Sequence, residues 1–225
     1  MSTHAVSRST AAGQNDEMIP RYTLGERVNH WIAALAYAYL LITGLAFWSP
    51  YLFWLAAIVG GGAVARFWHP WLGLIFSLSM FWMFGEWRCD MQADDSDCVW
   101  FKNIRYYIQN EDDKLPPVGR FNYGQKLFFW GMFYSVILLL LSGVALWYTE
   151  ALPWSLRYVR YAAILIHASV ALITIGLFMI HVYMSVFLEE GSLRAMIHGA
   201  VTRAWAWTFH RKWYEAVSGV SRSKQ

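Results

Sequence analysis

One run of the chain, Tyr161–Leu188 (YAAILIHASVALITIGLFMIHVYMSVFL), is apolar throughout yet carries two histidines, His167 and His181. It exceeds the ~20 residues of helix that cross a bilayer. The two histidines are fourteen positions apart, so on a helix they project from nearly the same face, roughly 21 Å apart along the axis. An imidazole at such depth is either a hydrogen-bonding group between helices or an axial ligand to iron. Two in register favour the second, and neighbouring spans must then supply partner histidines at the same two depths.

The remainder of the chain is equally apolar. Of 225 residues, 57% are hydrophobic and 18% aromatic, above the half or so that a soluble domain carries. Four segments, at about 28–48, 67–87, 127–148 and 161–188, each approach spanning length. The expected fold is an all-α integral membrane protein, a four-helix transmembrane bundle over 27–190, with 1–26 and 191–225 as flanking tails. Residues 1–20 are polar, lack the apolar core of a signal peptide and are expected to be a disordered tail. Ser49–Ala65 contains Pro50, the Gly60-Gly61-Gly62 run and no charge, which suits a re-entrant or surface-lying segment. Val99–Gln109 and Leu193–Val217 mix aromatic and basic residues, as do helices lying at the membrane surface.

Orientation follows from the basic residues. Fifteen of the 18 lysines and arginines fall in the N-terminal flank, in the connection Arg88–Lys126, or after the last span, whereas Arg66, Arg157 and Arg160 lie on the other side. The excess of positive charge places both termini in the cytoplasm, as expected for a multi-pass protein of the cell inner membrane. The net charge of +3 is read as this orientation signal, and no nucleic-acid motif accompanies it.

With that topology, the histidines can be assigned depths. His30, in Asn29-His30-Trp31, opens the first span on the cytoplasmic side, level with His181. His69, in Trp68-His69-Pro70, opens the second on the outer side, level with His167. Four histidines that pair by depth after an orientation drawn from charge alone point to two bis-histidine haems, one on His30 and His181 and one on His69 and His167. Gly44 follows His30 by the same fourteen residues, leaving the first helix bare where a flat macrocycle would approach. Gly73, Gly85 and the Ser142-Gly143 pair are candidates for the same role, with plain helix packing as the alternative. His198 and His210, beyond the last span, are expected to be solvated or interfacial, and His4 incidental.

Other chemistries lack their residues. Cys89 and Cys98 stand nine apart beside an acidic loop and match no c-type haem, iron–sulfur or zinc pattern, so they read as reduced, unligated thiols. P-loop, dinucleotide-binding, HExxH and GxSxG motifs are all missing. A transporter would carry ionisable groups along a midplane pathway, and here the acids gather in loops and at span ends. A membrane metallohydrolase would cluster histidines and carboxylates at one depth.

The series Asn29-His30-Trp31, Trp68-His69-Pro70, Phe121-Asn122-Tyr123-Gly124-Gln125-Lys126, Ile166-His167-Ala168 and Ile180-His181-Val182-Tyr183 closes with Gly191-Ser192 and Arg211-Lys212-Trp213-Tyr214. In this order it resembles the cytochrome b556, or gamma, subunit of membrane-bound formate dehydrogenase, from about Arg21 to about Tyr214. The dihaem pattern alone is shared with cytochrome b subunits of nickel–iron hydrogenases, which is the alternative reading; the longer N-terminal tail and the acidic Asp90–Asp97 loop depart from the family. The resemblance implies two haem b groups with the ligand pairs reached above. It also implies an iron–sulfur beta subunit and a molybdenum or tungsten catalytic alpha subunit outside the cytoplasm, with higher oligomers of that heterotrimer allowed.

By the same resemblance, electrons enter at the outer haem and leave at the inner one to a quinone, menaquinone or ubiquinone. Asn122, Gly124, Gln125 and His181 are its expected binding residues; a turn and helix start is the other reading of Asn122–Gln125. The chain itself would act as electron carrier and quinone reductase, not as the site of formate oxidation. Moving an electron inward across about two-thirds of the membrane opposes the potential by roughly 1.5 kcal/mol per 100 mV, so a low-potential donor must drive it.

Overall fold

The computed structural model describes residues 17–109, 111 and 114–219. In chain order the helices are α1 (Leu24–Trp48), α2 (Gly62–Trp87), α3 (Asp95–Lys102), α4 (Ile104–Ile108), α5 (Tyr123–Trp147), α6 (Arg157–Tyr183), α7 (Ser192–His198), α8 (Arg203–Phe209) and α9 (Arg211–Ser218). A 3-10 helix covers Pro50–Val59 and a π-helical turn covers Met184–Leu188. Two compact units result, one of 28–87 with 128–180, the other of 88–127 with 181–219 and the described residues up to Arg27. His4 and the proposed disordered tail through residue 16 lie outside the described residues.

The first unit holds the long apolar helices. Helices satisfy every backbone group internally, which hydrocarbon demands, and α1, α5 and the run Trp154–Leu188 are each long and apolar enough to cross a membrane. Helix α2 qualifies together with Pro50–Val59, from which it bends by 79°. That bend uses Gly60 and Gly61 at φ +96° and +99°, a left-handed conformation that side chains resist. The uncharged Ser49–Ala65 stretch is therefore a 3-10 helix, a glycine corner and the first turn of α2.

Side chains join the helices of this unit. Tyr37 donates its hydroxyl to Thr174 Oγ1 at 3.1 Å and packs on Phe76 and Phe178. Asn29 Nδ2 donates to the Ser79 carbonyl at 3.0 Å, and Phe84 stacks on Phe133 at 4.2 Å between ring centroids. Buried small residues such as Ala33, Ala36, Ala65, Ser77 and Ser79 face inward while Leu35, Leu141, Leu165 and Met179 stay exposed, the distribution of a lipid-facing unit.

The second unit gathers segments that the sequence presents as tails and a loop. Met18–Pro20 is not part of a tail: it pairs antiparallel with Ala200–Thr202, Ile19 opposite Val201, so the all-α expectation gains a two-stranded ribbon. The Arg21 and Tyr22 amides both donate to the Gly199 carbonyl, at 2.8 and 3.1 Å. Gly199 has φ +84°, and a Cβ there would lie 2.9 Å from the Tyr22 oxygen, so only glycine fits. Around the ribbon, Ala195, Val201, Trp205, Ala206 and Tyr214 form one core; Trp100, Tyr107 and Val118, with Met184 and Leu188 against them, form another. The two stretches expected to lie flat on a membrane surface thus contribute inward-facing aromatic residues to folded cores.

Candidate functional site

His69 on α2 and His167 on α6 face each other with ring centroids 6.4 Å apart and planes inclined by 58°. Their tautomers follow from the hydroxyls beside them. With its hydrogen assigned to the Tyr39 carbonyl at 2.9 Å, Thr43 Oγ1 accepts from His69 Nδ1 at 2.6 Å. Ser142 Oγ likewise donates to the Leu138 carbonyl at 2.6 Å and accepts from His167 Nδ1 at 3.0 Å. Each ring therefore carries its proton on Nδ1 and keeps the Nε2 lone pair for a ligand, the orientation that a metal-binding imidazole needs. Two imidazole–metal bonds of roughly 2 Å each, plus two half-rings, fill a gap of this size, so the pair fits an axially bound iron.

Glycines clear the space next to both rings. A Cβ on Gly44 would come to 3.9 Å from His69 Cε1, and one on Gly143 to 3.2 Å from His167 Cε1. Thr43-Gly44 on α1 and Ser142-Gly143 on α5 thus repeat one device, a hydroxyl that fixes the ring and a glycine that makes room for it. Thr43 was not anticipated from the sequence; its only signal was its place before Gly44. His69 does not open its helix as expected, because α2 begins at Gly62, and Pro70 inside it frees the Arg66 carbonyl.

His30 lies on α1 in the same unit, edge-on to Trp31 at 5.6 Å and next to the Asn29 anchor. His181 lies in the last turn of α6 and belongs to the second unit. The α-helix passes there into the π-helical turn Met184–Leu188, a distortion frequent at functional sites.

In the second unit, Asn122 caps α5. Its Oδ1 accepts from the Gln125 amide at 2.9 Å, and Gln125 Oε1 accepts from the Asn122 amide at 3.0 Å, a reciprocal box. Asn122 Nδ2 donates to no described residue, and Asn122 lines a cavity of about 230 Å³ with Trp100, Tyr107, Val118, Trp207 and Arg211 among its walls. The volume is below the ~300–1,000 Å³ usual for whole drug-sized ligands, which leaves room for a ring or head group. Gly124 and Gln125 are not in that wall. A Cβ on Gly124 would sit 3.3 Å from both Asn122 Oδ1 and Trp100 Cη2, while Gln125 Nε2 points to Glu189 Oε2 at 3.5 Å.

Glu189 and His210 belong to a buried polar cluster, so the expectation of a solvated His210 is corrected: its exposure is 0%. The ring is enclosed because Trp205 packs against it at 5.1 Å and both of its nitrogens are bonded. Nδ1 donates to the Gly119 carbonyl at 2.8 Å, and Nε2, 3.1 Å from Arg21 Nη2, accepts from it. Burial and the neighbouring Arg21 charge hold His210 below its ordinary pKa. Burial would raise Glu189, yet the Arg21 charge and the Tyr107 hydroxyl outweigh it and hold the carboxyl below its usual range. Neither residue carried a sequence signal of this role. His198, by contrast, is exposed as expected.

The acidic loop also acquires partners. Asp97 and Lys126 are buried, with Lys126 Nζ at 2.8 and 3.0 Å from the two carboxylate oxygens. Arg120 bridges Asp90 and Glu26 at 2.9 and 2.6 Å. The loop thereby ties down both ends of the segment that holds Asn122. Cys89 and Cys98 are free and exposed, and no cluster of histidine, cysteine and acidic side chains suited to a bare metal ion occurs among the described residues.

Comparison with known proteins adds to this geometry. The profile of the prokaryotic cytochrome b561 family matches residues 21–199. The formate dehydrogenase cytochrome b556(fdo) subunit of Escherichia coli is 35% identical over 209 residues, 92% of this chain and 97% of that protein. The nitrate-inducible formate dehydrogenase cytochrome b556(Fdn) subunit of the same organism is 31% identical, covering 93% and 96%. The formate dehydrogenase cytochrome b556 subunit of Haemophilus influenzae is 28% identical, covering 89% and 84%.

Proposed function

This chain belongs to the prokaryotic cytochrome b561 family, and from that premise we propose that it is the dihaem cytochrome b subunit of a formate dehydrogenase complex. It anchors that complex in the inner membrane and passes electrons from an iron–sulfur subunit on the outer side to a quinone on the cytoplasmic side. His69 and His167 hold one haem b, and His30 and His181 the other. The observation that carries the reading is the His69–His167 pair, the rings 6.4 Å apart and each held by a hydroxyl at Nδ1. Likeness to formate dehydrogenase cytochrome subunits over nearly the whole chain supports the choice of complex.

Bound there, haem iron would supply one-electron transfer across the span. The chain does the rest. Thr43 and Ser142 set the tautomers, Gly44 and Gly143 leave room beside the rings, and the apolar helices exclude water. Asn122 Nδ2, which donates to no described residue, is assigned to a quinone carbonyl; Gly124 and Gln125 shape that cap, with His181 assigned to the same end.

The pyridine haemochrome and the dithionite-reduced minus oxidised spectrum of the purified protein test this. Two low-spin b haems per chain are expected, and His69→Ala or His167→Ala should remove one and leave the other. One haem or none in the unaltered chain overturns the assignment.

A further inference from the structure

Tyr107 is one wall of the Asn122 cavity, and its hydroxyl donates to Glu189 Oε2 at 3.1 Å. The groups facing Glu189 come from four places: Tyr107 of α4, Gln125 of α5, His210 between α8 and α9, and Arg21 ahead of α1, the one fixed charge. In a purely structural ion pair Arg21 and Glu189 would be joined. Instead Arg21 Nη1 and Glu189 Oε1 are both buried and both without a hydrogen-bond partner among the described residues. Oε1 faces His210 Nε2 at 3.5 Å, and that nitrogen is itself an acceptor, since Nδ1 carries the ring proton. Two acceptors set against each other are poised to take up one proton.

We infer that Glu189 and Tyr107 carry a proton to the quinone at Asn122, with His210 and Arg21 positioning Glu189; the inference rests on the quinone reading of that cavity. Converting a quinone to a quinol takes two protons and two electrons, the electrons given singly by ferrous b-type haem, which becomes ferric. For one proton, the Tyr107 O–H bond breaks as an O–H bond forms on the quinone oxygen. The Glu189 carboxylate gains a proton relayed from hydronium in the water-filled cavity and passes it to the Tyr107 oxygen, so that it is a carboxylate again. The second proton comes from solvent at the cavity rim, where Pro117 and Thr208 are exposed. Both side chains end the cycle as they began it.

The test uses the assembled complex, unaltered and with Tyr107→Phe or Glu189→Gln. It reads haem reduction by formate, binding of a quinone analogue, reduction of a short-chain quinone across pH, and the carboxyl region of reduced-minus-oxidised infrared spectra. Haem reduction should hold in both variants while quinone reduction falls about a hundredfold, the lower end for loss of a positioned acid, and by more than analogue affinity falls. A carboxyl band of the unaltered complex should vanish in Glu189→Gln and shift in Tyr107→Phe. If Glu189→Gln does not assemble, Tyr107→Phe and the unaltered spectrum decide. Full-rate reduction with an unchanged pH profile in Tyr107→Phe, or no carboxyl band in the unaltered complex, overturns the proton route and leaves the quinone site standing. An unaltered complex that neither binds the analogue nor reduces quinone overturns the site, and the route with it.

Discussion

Thr43 and Ser142 each precede a glycine, each spend their one hydroxyl hydrogen on a carbonyl of the preceding helical turn, and each then accept from a histidine. Thr43→Val keeps the shape and deletes the acceptor. The group held by His69 and His167 should then bind about 10–100-fold more weakly, the usual cost of losing an outer partner of a metal ligand. Competition with a haem-scavenging globin measures this, and Ser142→Ala should give the same loss from the opposite helix. Full retention by both variants would remove the hydroxyls from the ligand set. Gly143→Ala acts differently, since a Cβ 3.2 Å from His167 Cε1 forces the ring itself to move.

Helix starts outside the apolar unit share a construction. Thr23 with Glu26, Asp94 with Asp97, and Asn122 with Gln125 each close a reciprocal box at the head of α1, α3 and α5. Asp97 serves twice, because its carboxylate also receives Lys126 from the first turn of α5. The side chains are only 6% and 3% exposed, so removing one partner strands a buried charge. Lys126→Met should cost about 3–5 kcal/mol, read in denaturant unfolding of the detergent-solubilised protein. Adding Asp97→Asn, which removes the stranded charge and keeps a capping oxygen, should restore most of that. A double variant no more stable than Lys126→Met would mean that the pair is not coupled.

At the scale of the whole molecule, the buried cluster makes the second unit sensitive to acid. The folded pKa of His210 lies below its ordinary 6.5, so as the pH falls through about 6.5 the unfolded chain binds a proton that the folded one does not, and stability drops. Glu189 acts with the same sign further down, beneath its ordinary 4.5, where the unfolded carboxyl protonates before the folded one. Thermal unfolding midpoints should decline steadily below about pH 6.5, and His210→Gln should flatten the upper part of that decline. A midpoint independent of pH throughout this range would contradict the assignment of a neutral buried His210.

What could be read along the chain was whatever the surrounding medium imposes locally. Long apolar runs are a local property, and the four at about 28–48, 67–87, 127–148 and 161–188 fall on helices α1, α2, α5 and α6, of which α2 reaches spanning character only together with Pro50–Val59. The helical repeat puts His167 and His181 on one face without reference to any neighbour. Relations between distant positions follow no such rule. Arg21 meets His210 across 189 residues and Tyr107 meets Glu189 across 82. Met18–Pro20 becomes a strand only because Ala200–Thr202 offers it an edge. A histidine in a polar, basic tail gives no local reason to be buried. His210 is buried because folding brings Trp205, Gly119 and Arg21 around it, and hydrogen-bond partners of that kind are assigned by tertiary packing alone.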